Sequence, residues 1–300
     1  MLNKLQKGDC IGIITPASSF DSPEVIRDGL SYLNHLGFTP CIGEFVYGSN
    51  HHFSGSPQER AADIMTFFKD PKIKAIIATC GGWGSQAVLP YLDYEIIKQN
   101  SKPIIGFSDI TALQNAVYAK ANIASLAGIM LKYDFYNTSV HPQTAQSFEA
   151  CLCGQFVPIS QGVTLNSGKA DGVLVGGNLC TFVSLAGTPY FPSLKQKIIF
   201  LEDFDEKTYR IERMLTQLEQ QKDFEQVSAI IFGNFGSCNL NHPEDNDIET
   251  IVNNFATRHP DLPIVKHFPH GHIKARFCIP IGVSARLIAS PQKTSLQIIE

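Results

Sequence analysis

Little in this 300-residue chain points toward a charged polymer or a lipid. Lysine and arginine number 24 against 28 aspartates and glutamates, so the net charge is only −4. Without a basic footprint, neither nucleic acid nor an anionic membrane is an expected partner. No stretch approaches the ~20 apolar residues that a membrane helix needs. The opening "MLNKLQKGDCIGIITPASS" lacks the long apolar run and small-residue cleavage site of a secretory leader. The expectation is a soluble, cytoplasmic protein. Neither GxxxxGKS/T nor GxGxxG opens a helix, which argues against the glycine-loop nucleotide sites. Repeats and low-complexity tracts are missing too. Eight cysteines (10, 41, 80, 151, 153, 180, 238, 278) are scattered, mostly in apolar runs such as "NLCTF" and "RFCIP", as reduced core thiols are. "CLC" at 151–153 has no second Cys or His pair at zinc spacing, so neither metal nor cofactor is expected.

A chain of this length can bury about 75% of its unfolded surface and needs no covalent staple. Its first half alternates strand and helix signals. "DCIGIITPA" reads as a buried strand, after which Ser22-Pro23-Glu24 offers a cap, a first-turn proline and a first-turn acid. Val25, Ile26, Leu30, Leu33 and Leu36 follow at helical spacing and Gly37 closes the helix. Ser56-Pro57 opens a second helix; "KIKAIIATC", "KPIIGF" and "IASLAGIM" read as strands, with helices between them. Strands alternating with helices imply parallel pairing and a doubly wound α/β layer. The expected division is an α/β domain over 1–140, a polar link over 141–168 and a mixed, β-rich domain over 169–300.

In open parallel sheets ligands bind beyond the carboxyl ends of the strands. Two adjacent units carry unusual residues there, "TCGGWGS" after Ile76-Ile77 and "GFSD" after Ile104-Ile105. Ser108 at a strand-to-helix corner leaves its hydroxyl on the rim. The N–H of Asp109 then falls in a first helical turn, where it has no intrahelical acceptor and can stabilise an oxyanion. Gly81 and Gly82 let a backbone N–H approach the same spot. Trp83 is a rim residue that could stack on a ligand or simply pack. The same corner also reads as an ordinary N-cap, with Ser108 or Asp109 capping "ITALQ".

A serine nucleophile needs a base, and the base an orienting acid. "HFPHGHIK" offers His267, His270 and His272 on a Pro/Gly loop, and "IIFLEDFDE" drives Glu202 and Asp203 out of an apolar strand. A loop histidine is often merely solvated, and a strand-end acid often starts the next helix.

The blocks "GGWGSQAVLPYLD", "PIIGFSDITAL", "GVLVGGNLCTFVSLAGTPY", "IIFLEDFDEKTYRIERMLTQL" and "FPHGHIKARFCIPIGV" resemble, in order and over nearly the whole chain, those of the serine LD-carboxypeptidases. That family includes the microcin-C immunity hydrolases. The resemblance implies a flavodoxin-like N-terminal domain, a smaller β-rich C-terminal domain, a site in the cleft between them and a homodimer. It implies Ser108 as nucleophile, Glu202 as acid and His272, rather than His270, as base. The backbone amides of Asp109 and Gly82 match the oxyanion hole, with Gly81 and Trp83 nearby at the substrate. The implied reaction is cleavage of the bond to terminal D-alanine in murein tetrapeptides. The alternatives are amide hydrolysis of a microcin-type aminoacyl-nucleotide, or a non-catalytic anion-binding module. One departure stands out: Cys80 occupies a position where the family often has arginine, which leaves the cation for a substrate carboxylate unassigned.

Overall fold

Apolar runs of four to eight residues, broken by glycine and polar turns, become the strands of two sheets. The computed structural model describes residues 4–299. The first half runs β1 (Cys10–Ile14), α1 (Glu24–His35), β2 (Thr39–Ile42), α2 (Pro57–Lys69), β3 (Ile73–Ala78), α3 (Tyr94–Gln99), β4 (Ile104–Gly106), α4 (Ile110–Ala121), β5 (Ser125–Ala127) and α5 (Leu131–Phe135). It continues through α6 (Pro142–Leu152) and β6 (Val163–Asn166) into β7 (Gly168–Asn178), α7 (Leu179–Ser184), β8 (Lys197–Phe204), α8 (Thr208–Glu219) and β9 (Ala229–Gly236). The chain closes with α9 (Ile248–Arg258), β10 (Ile264–Lys266), β11 (Ile279–Ile281), β12 (Ser284–Ser290) and β13 (Lys293–Ile298).

Strands β2, β1, β3, β4 and β5 lie side by side and all run parallel, and β11 returns to pair antiparallel with β5. This is the flavodoxin order, whose direction of winding reverses between β1 and β3 and opens a crevice at their carboxyl ends. The period-2 alternation of a strand serves both faces: Ile76 packs with Ile64, Phe68 and Leu113, while Ile77 packs on the other face with Ile26 and Leu33.

The second sheet is mixed. Strands β7, β8, β9 and β10 are parallel; β12 and β13 extend one edge and β6 the other, antiparallel. Helices α8 and α9 cover one face through Ile211, Leu215 and Phe255. The other face joins Phe200, Ile231 and Leu287 to Ile279, Ile281 and Ala127 of the first sheet, so the two sheets share one core.

Two local readings need revision. Ser22 does not cap α1; its hydroxyl instead donates to Glu24 at 2.5 Å, and Pro23 takes the cap position. Ser56 does cap α2, as half of a capping box with Glu59. The polar stretch 141–168 is not bare link, since it forms α6 and β6. Its cap is the His141 imidazole rather than a Ser, Thr, Asp or Asn side chain. No described helix is long and apolar enough to cross a membrane.

Candidate active site

The corner between β4 and α4 is not an ordinary cap. Ser108 sits at φ +60°, a left-handed conformation that a non-glycine residue adopts at a cost of order 1–3 kcal/mol. Asp109 is the residue before α4 but makes no capping bond with its side chain. Its buried carboxylate reaches across instead and accepts the N–H of Ser85 at 2.8 Å, while the Ser85 hydroxyl donates to the Asp109 carbonyl at 2.5 Å. Burial pushes the Asp109 carboxyl up, opposed by these bonds and by Arg60. The Ser108 corner and the glycine-rich loop after β3 are thereby tied together, on the single rim expected from adjacent β3 and β4.

That loop is fixed at nearly every residue. The Cys80 thiol donates to the Ser18 carbonyl at 2.9 Å, and the Ser18 N–H to the Gly81 carbonyl at 3.2 Å. The buried Arg60 guanidinium donates to the carbonyls of Pro16, Gly55 and Gly84 and lies 4.5 Å over the Phe53 ring. A Cβ added at Gly81 would stand 3.1 Å from Ser108 Cβ and 3.2 Å from Oγ, which shows how closely this backbone approaches the serine. Gly82 has φ +97°. Among the described residues, no acceptor is paired with the N–H of Gly82 or of Asp109.

The acid and the histidine come from the second sheet. Glu202 lies within β8, 1% exposed, and its Oε2 accepts from His272 Nδ1 at 2.7 Å. A β-bulge puts it there: pairing runs Leu201 with Phe232 but Asp203 with Phe235, so Gly233 and Asn234 together stand opposite Glu202. Bulges re-aim side chains in this way, often beside functional sites. The 268–272 loop then hangs on the bulged strand, with Phe268 N–H donating to the Phe232 carbonyl at 3.0 Å and Asn234 N–H to the His270 carbonyl at 2.9 Å. The His272 ring is held between Phe204, stacked at 4.9 Å, and the edge of Phe107 at 5.1 Å. Phe107 is the residue before Ser108, and Ser108 and His272 line the same cleft, about 960 Å³ in volume.

His270 is different. It is 2% exposed, its Nδ1 bonds the Phe277 carbonyl at 2.8 Å, and burial drives its pKa down to about 4. Asp203 accepts from Asn178 Nδ2 and from the N–H groups of Cys180 and Phe204. Burial and the adjacent Glu202 push its pKa up to about 6.

Sequence reasoning missed Phe107 and Phe204 as a clamp, Asn178 as a cleft residue, and the buried Arg276–Asp134 ion pair that joins the two halves in the cleft wall. Each is a contact between residues distant in the chain, so no local pattern marks it. Trp83, 58% exposed, does not line the cleft; its indole packs on His52 and Phe53. Cys80 is fully buried and burial raises its pKa, so a neutral thiol stands where the resemblance implied arginine. No cluster of metal-ligating side chains occurs among the described residues.

Fold and cleft place the chain among two-sheet α/β proteins with a site between the sheets. A family model described as the LD-carboxypeptidase N-terminal domain matches residues 11–128, and one described as the LD-carboxypeptidase C-terminal domain matches residues 171–287. The chain belongs to the LD-carboxypeptidase family. It is 31% identical to a probable murein peptide carboxypeptidase of Bacillus subtilis, over 94% of this chain and 90% of that one. Among solved structures, an MccF-like protein from Bacillus anthracis is 32% identical with a TM-score of 0.88, covering 99% of this chain and 98% of that one. A muramoyltetrapeptide carboxypeptidase from Oxalobacter formigenes is 27% identical, again at TM-score 0.88, with 96% and 99% covered.

Proposed function

We propose that this protein is a serine LD-carboxypeptidase that removes terminal D-alanine from murein tetrapeptides, with Ser108 as nucleophile, His272 as base and Glu202 as the orienting acid. The observation that carries the reading is the 2.7 Å bond from His272 Nδ1 to a carboxylate buried in β8. With Nδ1 so engaged, Nε2 is the nitrogen left to serve Ser108, and the Phe107–Phe204 clamp keeps the ring from turning.

Ser108 Oγ attacks the carbonyl carbon before D-alanine as His272 Nε2 takes its proton. The oxyanion accepts hydrogen bonds from the Gly82 and Asp109 N–H groups, each such donor being worth about 3 kcal/mol. The intermediate collapses to a Ser108 ester while Nε2 protonates the departing amine. Water then attacks the ester with the same base, and the acyl chain leaves with a free carboxylate. Glu202 stabilises the transient imidazolium throughout.

A carboxypeptidase must also hold the substrate's terminal carboxylate. Arg276 in the cleft wall is already neutralised by Asp134. Lys274 is exposed, lines the cleft and pairs with no acid among the described residues, so we assign it this contact in place of an arginine at position 80. We assign Gly81, whose backbone packs against Ser108, to the support of the substrate site, and the reading keeps a cytoplasmic homodimer as its setting.

Mass spectrometry of a tetrapeptide incubated with the protein should show loss of one alanine, and none with Ser108→Ala. The similarity to the MccF-like structure favours a second reading, amide hydrolysis of an aminoacyl-nucleotide. A non-hydrolysable aminoacyl sulfamoyl nucleoside that binds tightly, with the tetrapeptide left intact, would move the assignment there.

A further inference from the structure

We propose that Ser18 and His52 are positioning residues that hold the oxyanion loop in its working orientation. This rests on the reading of the Gly82 N–H as an oxyanion donor.

Ser18 follows β1 and Gly81-Gly82-Trp83 follows β3, so the two segments face each other across the crevice where the winding of the first sheet reverses. Ser18 uses all three of its polar groups on this loop. Its carbonyl accepts from Cys80, its N–H donates to the Gly81 carbonyl at 3.2 Å, and its hydroxyl accepts the Trp83 N–H at 3.3 Å. In a trans peptide the C=O and the N–H point in opposite directions. Anchoring the Gly81 carbonyl on Ser18 therefore turns the Gly82 N–H away from Ser18. Ser108 stands against Gly81 on the nucleophile's side of the loop. Two consecutive glycines have no side chains of their own to resist a peptide flip, so the bonds on either side of Gly82 are what prevent it. There is also no room to replace them with bulk, because a Cβ at Gly82 would meet Ser18 Oγ at 2.2 Å.

His52 completes the device. Its Nε2 is 2.7 Å from Ser18 Oγ and its ring stacks on the Trp83 indole at 5.3 Å and 21°. The His52 carbonyl is itself held by the Ser19 N–H at 2.9 Å and the Ser19 hydroxyl at 3.1 Å. A consistent chain results. The Trp83 N–H donates to Ser18 Oγ, which leaves the Ser18 hydroxyl proton to be donated to His52 Nε2. The acceptor at His52 fixes the Ser18 rotor with a lone pair toward Trp83. Neither residue touches the reacting atoms, so each acts through the loop.

The test is the second-order rate at which a fluorophosphonate labels Ser108, since the probe's P–O group occupies the oxyanion site and no natural substrate need be known. Steady-state kinetics on the tetrapeptide run beside it. Ser18→Ala and His52→Ala should each slow labelling and lower kcat about 10- to 100-fold with KM little changed. His52→Gln, which keeps an acceptor, should restore most of the rate. Trp83, the only tryptophan, reports on the loop, and its fluorescence anisotropy should fall in Ser18→Ala. His52 is exposed, so its variants test the idea even where Ser18→Ala fails to fold. Folded variants that label at the wild-type rate, or that raise KM while sparing kcat, would overturn the inference and leave the hydrolase reading intact. A wild-type protein that does not label at all would remove both.

Discussion

At the scale of single residues, two histidines two positions apart behave as opposites. His272→Ala should abolish turnover while the protein still folds, because its ring is partly exposed, and its stability cost comes from leaving the buried Glu202 without a partner. His270→Ala removes a buried ring that packs on Phe200 and bonds the Phe277 carbonyl. It should cost about 2–4 kcal/mol of folding stability from the cavity and the orphaned acceptor, and leave a folded fraction that still turns over. Urea unfolding and kcat measured on both variants check this. Glu202→Gln should lower kcat by about 10⁴, as loss of the orienting carboxylate does in other triads, with KM little changed. Wild-type turnover would take Glu202 out of the mechanism. The proposed Ser108, Glu202 and His272 could be picked out because each falls within a block that resembles one family, at a turn or near the end of a strand. The choice between His270 and His272 was not readable from spacing. What separates the two is burial, since His270 is enclosed and His272 lines the cleft, and burial is a property of the folded chain. Ser18 and His52 were invisible for a related reason, since "PASS" and "NHHF" acquire meaning only when β1 and β3 become neighbours.

At the scale of elements, the repeating grammar of strand, cap and amphipathic helix gave the first sheet its order of parts. What it could not give was the partner of β11, which returns from the far end of the chain to pair with β5, or the bulge in β9. A strand's neighbour and a bulge are both defined only once the sheet has assembled. The bulge makes a prediction. A Cβ at Gly233 would lie 2.6 Å from the His270 carbonyl, a backbone atom that cannot swing aside. Gly233→Ala should push the 268–272 loop off β9 and shift His272 relative to Ser108. Because a misplacement of about 1 Å can cost 10²-fold, kcat should fall by about that factor while the protein stays folded. Unchanged kcat in a soluble variant would show that the bulge does not position the base.

At the scale of the whole molecule, two buried groups beside the cleft tie stability to pH in opposite directions. Asp203 is raised from 3.8 to about 6 by burial and by Glu202, so the folded protein keeps a proton that the unfolded chain has released between about pH 4 and 6. Folded stability from this group therefore falls as pH rises through that window, by up to ~3 kcal/mol. His270 is lowered from 6.5 to about 4 by burial, so over a similar range it is the unfolded chain that holds the extra proton, and stability from this group rises with pH by a comparable amount. In the wild type the two slopes largely offset each other. Relative to wild type, Asp203→Asn should gain stability steadily from pH 4 to 6 and then level off, whereas His270→Asn should lose it from pH 4 to 6.5. Urea titrations at half-unit pH steps measure both differences directly. Curves for either variant that run parallel to the wild type across this range would mean that the group titrates in the folded protein as it does in the unfolded chain, and that the interior beside Glu202 is wetter than its burial implies.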